Sequence, residues 1–450
     1  MQAVANAFQS YTGPAENNIV ENKYKVREGG EKGMKALTWQ GANSVKVIDA
    51  DIPDITQDTD VILKVTATTI CGSDLHLYHG EIVALQKGDL LGHEFAGIVD
   101  RVGPAVKNLK VGDRVVTSFQ IACGECRFCK QKLSSFCDRT NNSTLMRTMY
   151  GGNPKADQAD AGFFGYSHFT GGYPGGQAEW VKVPIGDVNC LKIPDEVPDE
   201  EAIYLSDILP TSYHNVVDTG VKEGDVVGVW GLGPIGQCSI RWALLKGAKE
   251  VVAIDCVPAR LKMAEEAAPG KVRTLNFKEV SNVAGTLNEW YPGGLDVSLD
   301  CGSFHEPQTM LHKVEKALML ETDVSEVPNQ MIMATRKMGR VGIIAAYAAL
   351  TNHFNIGALM EKGIRFIGNG QAPVHLYWEE IMDMIKEGKW SSKFLVSHRI
   401  DVSEFAELYQ AFDKRQGGLM KVFVQTRHSA PPAPGFPQLT SIKDLPKEVL

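Results

Sequence analysis

Residues 226–255 read VVGVWGLGPIGQCSIRWALLKGAKEVVAID, and this stretch decides the fold. VVGVW has the composition of a buried strand, IGQCSIRWALLKGA carries apolar residues at helical spacing, and VVAID returns to a strand. Strand, helix, strand is the repeating unit of a parallel sheet, so an α/β protein is expected. A lone Gly-x-Gly-x-x-Gly says little in a chain with 44 glycines. Here Gly231, Gly233 and Gly236 follow a strand and open a helix, and Asp255 ends the next strand, 19 residues beyond Gly236. That context is the one a dinucleotide-binding turn requires. Its glycines, with Pro234 and Ile235 between them, let the backbone approach a pyrophosphate whose charge sits at the helix N-terminus.

Asp255 also bears on cofactor choice. Its carboxylate can accept hydrogen bonds from both ribose hydroxyls of NAD, whereas the 2′-phosphate of NADP would sit against it. Two like charges 4 Å apart cost about 4 kcal/mol at an effective dielectric of 20. NAD is therefore favoured, with Arg260 the neighbour that could instead accommodate a phosphate.

Working outward, ARLKMAEEAA reads as a helix, and DVSLDCG, RVGIIAA and RFIGNG as further strands. WEEIMDMIKEGKW is helical in spacing and MKVFVQT reads as a last strand. Upstream, from Met34, the runs VKVIDA, VILKVTATTI, FAGIVDRV and DRVVTSF are short, β-rich and separated by Gly, Pro and Asp, which suits a compact mostly-β module. Residues 1–33 are polar and aperiodic, an extension rather than a domain. Residues 143–178, rich in glycine and aromatics, read as a long irregular loop. The tail 428–450 carries five prolines and reads as extended, on the surface or loose.

The net charge of −8 argues against a nucleic-acid or anionic-membrane surface as the main partner, since such sites need clustered Lys and Arg. The longest apolar run, VGIIAAYAAL, is too short to span a bilayer. The N-terminus shows neither a secretory nor a mitochondrial address, so a cytoplasmic protein is expected. Its nine cysteines should then stay reduced, and clustered ones read as metal ligands or catalytic groups.

Cys123, Cys126, Cys129 and Cys137, in CGECRFCKQKLSSFC, form the strongest local signal. Cys-x-x-Cys spacing lets successive thiolates converge on one ion, and four sulfurs give zinc a closed tetrahedral site with no open position for substrate. A structural zinc is expected, with an iron–sulfur cluster as the alternative. A second constellation is Cys71-Gly72-Ser73-Asp74-Leu75-His76 followed by Gly92-His93-Glu94. One Cys and one His prove little alone. A hydroxyl at Ser73, a second His at His76 and an acid at Glu94 cluster soft and borderline ligands with proton-handling groups, which is what a catalytic zinc needs.

CGSDLHLYHG, GHEFAGIV, GDRV, the four-cysteine lobe and GLGPIG occur in the order and spacing of zinc-dependent alcohol dehydrogenases of the medium-chain dehydrogenase/reductase family. Over residues 34–427 the chain resembles that family, and most of all its glutathione-independent formaldehyde dehydrogenase branch. The resemblance implies a GroES-like β-rich catalytic domain, 34–207 plus 370–427, with a doubly wound Rossmann domain, 208–369, inserted. It implies a catalytic zinc held by Cys71, His93 and Asp207, the last in YLSDILPTSYHNV, with Glu94 close behind and Asp74 orienting His93. Asp207 could alternatively cap a helix, and Asp74 could serve only a turn. Protons would leave through Ser73, the nicotinamide ribose and His76. The implied reaction passes hydride between a small alcohol or hydrated aldehyde and NAD, with formaldehyde-like substrates favoured. The implied assembly is a homodimer or homotetramer. The competing expectations are the same fold acting on a larger secondary alcohol or polyol, and a zinc- and nucleotide-binding regulator without turnover. His79, His214, Cys190, Cys238, Cys256 and Cys301 are expected to pack or lie on the surface.

Overall fold

The computed structural model describes residues 18–446 apart from 23, 30–32, 154, 156–159, 303–311, 313–322 and 348–349. The first 17 residues of the expected N-terminal extension and the last four of the tail therefore lie outside the described residues. The chain divides into two compact units, one holding the residues up to Pro210 and from Pro373 onward, the other Thr211–Ala372. No helix among the described residues is long and apolar enough to cross a membrane.

The second unit is built on six parallel strands. Their order is Val272–Asn276, Glu250–Asp255, Val226–Trp230, Leu295–Asp300, Thr335–Ile343 and Arg365–Gly368. Counting along the chain this is 3-2-1-4-5-6, the doubly wound order, and the direction of winding reverses between Val226–Trp230 and Leu295–Asp300. The central strands are buried on both faces, which is why Val226–Trp230 and Val251–Ile254 read as unbroken apolar runs, while Leu295–Asp300 buries the polar Ser298 and Asp300 among its apolar residues.

The first unit carries a seven-stranded sheet in which Val61–Thr68 pairs with Phe95–Val102 and Trp180–Val183. The late strand Lys421–Gln425 joins the same sheet, Val424 facing Thr68. Residues from the two ends of the chain thereby become neighbours.

One expectation is corrected, and the alternatives left for the tail are narrowed. The stretch 143–178 is not one irregular loop. It holds a helix, Thr144–Gly151, capped by Ser143 accepting from the Met146 amide, and a short strand, Gly162–Phe163. Phe164, Tyr173 and Gln177 are fully or almost fully buried. Its glycines serve close packing: a Cβ on Gly165 would lie 2.3 Å from the Gly92 amide nitrogen, and one on Gly175 2.2 Å from Leu91 O, so the segment can lie directly against the chain that leads into His93. The tail is extended but not loose. Phe436 is buried, Leu439 bridges to Arg399, and Ser441 donates to Glu404 Oε1 at 2.6 Å. The described part of the N-terminal stretch is also docked, with Val20 buried and the Ile19 amide donating to Arg139 O at 3.0 Å.

Candidate metal centres and active site

The four sulfurs of Cys123, Cys126, Cys129 and Cys137 lie within 4.8 Å of one another. The local chain makes this possible, because short turns aim successive amides inward. The Glu125 and Cys126 amides donate to Cys123 Sγ at 3.4 and 3.2 Å, and the Cys129 amide donates to Cys126 Sγ at 3.5 Å. Neighbouring Cys129 and Cys137, with these amides, hold the Cys123 thiol well below its usual pKa. Four soft donors in a closed, largely buried shell fit a structural zinc.

The second cluster gathers Cys71 Sγ, a His93 ring nitrogen, and carboxylate oxygens of Glu94 and Asp207 within 4.8 Å. Cys71 stands at the N-terminus of the helix Gly72–Tyr78, where Asp74 Oδ2 accepts from the Cys71 amide at 2.9 Å. Asp74 thus closes the turn and also places Oδ1 3.1 Å from His93 Nδ1. Gln177 fixes Asp74 in turn, donating to Oδ2 at 3.2 Å while accepting from Tyr409 Oη at 2.9 Å. His93 Nε2 is left facing Asp207 Oδ2 at 3.4 Å, Ser73 Oγ at 3.4 Å and Glu94 Oε1 at 3.9 Å. Asp207 precedes the helix Ile208–Asp218, and the preceding Ser206 carbonyl is tied to the Phe119 amide at 3.0 Å. His76, one helical turn beyond Ser73, is partly exposed and pairs through Nδ1 with Glu81 Oε2 at 2.6 Å.

Electrostatics mark this cluster as cation-seeking. Burial disfavours a charged His93, yet Asp74, Asp207 and Cys71 together hold its pKa well above the usual imidazole value. Burial pushes the Glu94 carboxyl up, opposed by Lys421. A thiolate, an imidazole with its second nitrogen fixed by a carboxylate, and a further carboxylate are a donor set suited to zinc with an open position.

Sequence reasoning missed Lys421. Its ammonium is hydrogen-bonded to Glu94 Oε1, and each side chain of the pair is only 1% exposed. Burial opposes its charge, but Cys71, Glu94 and Asp207 raise its pKa. The pair is separated by 327 residues along the chain, beyond any local pattern. The one available signal was a lysine opening the apolar strand MKVFVQT.

In the second unit, Gly231 turns the chain with φ +83°, and a Cβ on Gly236 would fall 1.9 Å from Gly231 O. Strand and helix can meet this closely only with glycine there. A Cβ on Gly233 would meet nothing within 4 Å. The helix Pro234–Leu245 begins there with proline in its first turn and no side-chain cap, leaving a start suited to a phosphate. Pro234 and Ile235 are half-buried beside it. Asp255 is buried and already accepts from the amides of Leu232 at 2.7 Å, Cys256 at 2.6 Å and Val257 at 2.9 Å. It therefore shapes the glycine turn as well as ending the strand. Arg260 Nη1 lies 4.0 Å from Asp255 Oδ2. Among the residues expected to stand aside, Cys190, Cys238 and Cys301 are buried, Cys256 is partly exposed, His214 is buried, and His79 pairs with Asp413 at 2.8 Å.

Residues 57–195 match the alcohol dehydrogenase GroES-like domain. A zinc-type alcohol dehydrogenase-like protein of Schizosaccharomyces pombe is 40% identical over 391 residues, covering 87% of this chain and 90% of its own. The chain belongs to the zinc-type alcohol dehydrogenase family. It is accordingly an oxidoreductase with a GroES-like domain and a Rossmann-like parallel-sheet domain. Formaldehyde dismutase of Pseudomonas putida is 31% identical over 406 residues, covering 85% of this chain and 95% of that protein. Among solved structures, the alcohol dehydrogenase TADH of Thermus sp. ATN1 is 30% identical with a TM-score of 0.72, covering 88% of this chain and all of that one.

Proposed function

We propose that this protein passes hydride between a small alcohol or hydrated aldehyde and NAD, with formaldehyde-like substrates favoured. The observation that carries the proposal is the partly buried Cys71–His93–Asp207 cluster with Ser73 Oγ 3.4 Å from His93 Nε2. A metal-ligand set next to a hydroxyl able to take a proton is the minimum an alcohol oxidation needs. Membership in a family whose relatives include formaldehyde dismutase supports the substrate preference.

When bound, zinc supplies Lewis acidity toward a substrate oxygen, and the nicotinamide supplies the hydride acceptor. Cys71, His93 and Asp207 would hold the catalytic zinc, and Cys123, Cys126, Cys129 and Cys137 the structural one. Asp74 fixes the His93 ring so that Nε2 faces the site. Ser73 takes the substrate hydroxyl proton and passes it toward His76, whose pairing with Glu81 at the surface suits exchange with solvent. Gly231, Gly233, Pro234, Ile235 and Gly236 receive the pyrophosphate and Asp255 the adenosine ribose, with Arg260 beside it. The protein works in the cytoplasm as a homodimer or homotetramer, with no nucleic-acid or membrane partner.

The test is absorbance of the reduced cofactor over an alcohol and aldehyde panel, formaldehyde first, with NAD and NADP each supplied to zinc-replete protein. Turnover with NAD on small substrates is expected. Absence of cofactor reduction on every member would favour a binding protein without turnover. Asp255→Ala is expected to narrow the preference for NAD over NADP, and unchanged coenzyme selectivity would remove Asp255 from that role.

A further inference from the structure

The tail beyond residue 427 lies outside the stretch that carries the family resemblance, and it is fastened to one buried ion pair. Arg399 Nη1 donates to Glu200 Oε1 at 2.8 Å, with the two side chains 2% and 5% exposed. Arg399 Nε donates to Gln425 Oε1 at 2.8 Å. The tail completes the shell. Ala430 O accepts from Arg399 Nη2, and the Ala433 amide donates to Glu200 Oε1 at 3.1 Å. Further on, the Thr440 amide donates to Arg399 O at 2.9 Å, and Leu439 bridges to the same residue. Phe436, between these contacts in the chain, is buried, with the Lys393 ammonium 5.6 Å over its ring.

Glu200 matters for where its helix leads. It stands in the first turn of the helix Asp199–Ala202, which runs directly into the turn Ile203–Ser206, and Asp207 is the next residue. The neighbouring Glu201 is held from the same late part of the chain, accepting from Ser391 Oγ at 2.6 Å and from the Ser392 amide at 2.5 Å. Both glutamates are buried. Residues 199–206 are therefore anchored at their start by residues 391–433 and at their end by the Phe119 amide on Ser206 O. Cys71 and His93 are placed by other means, through Asp74 and Gln177. Of the three expected ligands, Asp207 is the one that follows this helix. A buried ion pair keeps its geometry while water is held away, since solvent screens an exposed pair and competes for its hydrogen bonds.

We propose that the C-terminal tail is a positioning element for the catalytic metal: by closing over Arg399 and Glu200 it fixes residues 199–206 and with them the Asp207 carboxylate. The inference rests on the function proposed above and adds to it the residues that set how tightly that metal is held. Glu200, Arg399 and Phe436 act through Asp207 and are positioning residues.

Two variants of the full chain test this. Phe436→Ala loosens the tail, and Glu200→Gln keeps the side-chain shape while removing the charge that Arg399 faces. Cobalt exchanged into both metal sites distinguishes them, because four thiolates give a stronger thiolate-to-metal absorption than one. In a chelator titration, both variants should release the one-thiolate metal at roughly tenfold lower chelator than the wild type, the lower end of what losing a ligand's support costs. The four-sulfur signal should disappear at the same chelator concentration in all three proteins. Phe436→Leu, which refills the apolar site, should behave as the wild type, and excess zinc should restore kcat to the two weakened variants. Release of both metals together, or unchanged release of the one-thiolate metal in either variant, would overturn the role of the tail alone. A wild type that takes up metal only in the four-sulfur lobe would overturn the proposed catalytic site, and this inference with it.

Discussion

The four-cysteine lobe and the Cys71–His93–Asp207 cluster hold metal-ligand chemistry in opposite ways. The lobe draws four like donors from residues 123–137, and turn geometry alone brings them together. The mixed cluster draws unlike donors from three distant segments, and adds a buried carboxylate, Glu94, that needs Lys421 from the far end of the chain. A closed shell of four sulfurs has no vacancy and can only stabilise. A mixed shell with Ser73 beside it is the one the proposed function assigns to chemistry. The difference is one of assembly: a structural site is written locally, whereas a reactive one is imposed by tertiary packing.

Removing a ligand from each site is the strongest way to break this comparison. Cys126→Ser should cost the lobe its zinc and several kcal/mol of stability, because metal binding there is folding energy of about 10 kcal/mol. Metal analysis should find one zinc where the wild type has two, with a lower melting temperature and poor soluble yield. A fully stable variant would deny the lobe its structural role. Asp207→Ala should also leave one zinc, but with a nearly unchanged melting temperature and turnover reduced at least 10³-fold, about 4 kcal/mol in the barrier. Two retained zincs with full activity would remove Asp207 as a ligand.

Lys421→Met sharpens the contrast by leaving Glu94 buried without its countercharge. Truncating one partner of a buried ion pair costs about 3–5 kcal/mol. Lys421→Met combined with Glu94→Gln should recover most of that loss in denaturant melts. If the double variant is no more stable than the single one, Glu94 is not the group Lys421 compensates.

The smallest effect concerns the lobe side. His375 is stacked on Trp378 with centroids 4.4 Å apart, and its amide donates to Ser134 Oγ at 3.4 Å. Burial, helped by nearby Lys132, pushes its pKa down to about 3. The folded value lies below the unfolded one, so this stability is present above about pH 6.5 and is lost as pH falls toward 3. The slope is about 1.4 kcal/mol per pH unit across that window. His375→Phe should flatten that part of the acid limb by on the order of 2 kcal/mol between pH 6.5 and 4.5 in melts of the zinc-loaded protein. An identical acid limb in both proteins would show that His375 titrates normally.

Much of the molecule was legible in the chain because its signals are local. VVGVW and VVAID became adjacent parallel strands, since strands buried on both faces need continuous apolar runs. The four-cysteine spacing and the glycine turn are likewise contained in a few residues each. The stretch 143–178 was misjudged because glycine marks two things, a loop and a close approach, and only the facing chain at Gly92 tells them apart. For the tail the prolines predicted an extended chain on the surface or loose, without saying what it lies against.

By itself the sequence determined the donor types, the periodicities and the turn chemistry, because backbone geometry within a few residues leaves few choices. Only the tertiary structure decided that Lys421 neutralises Glu94 and that Asp74 lies both at a helix start and beside His93. Those are matters of burial and charge between residues far apart in the chain. Their energies exist only once folding has removed the water between them.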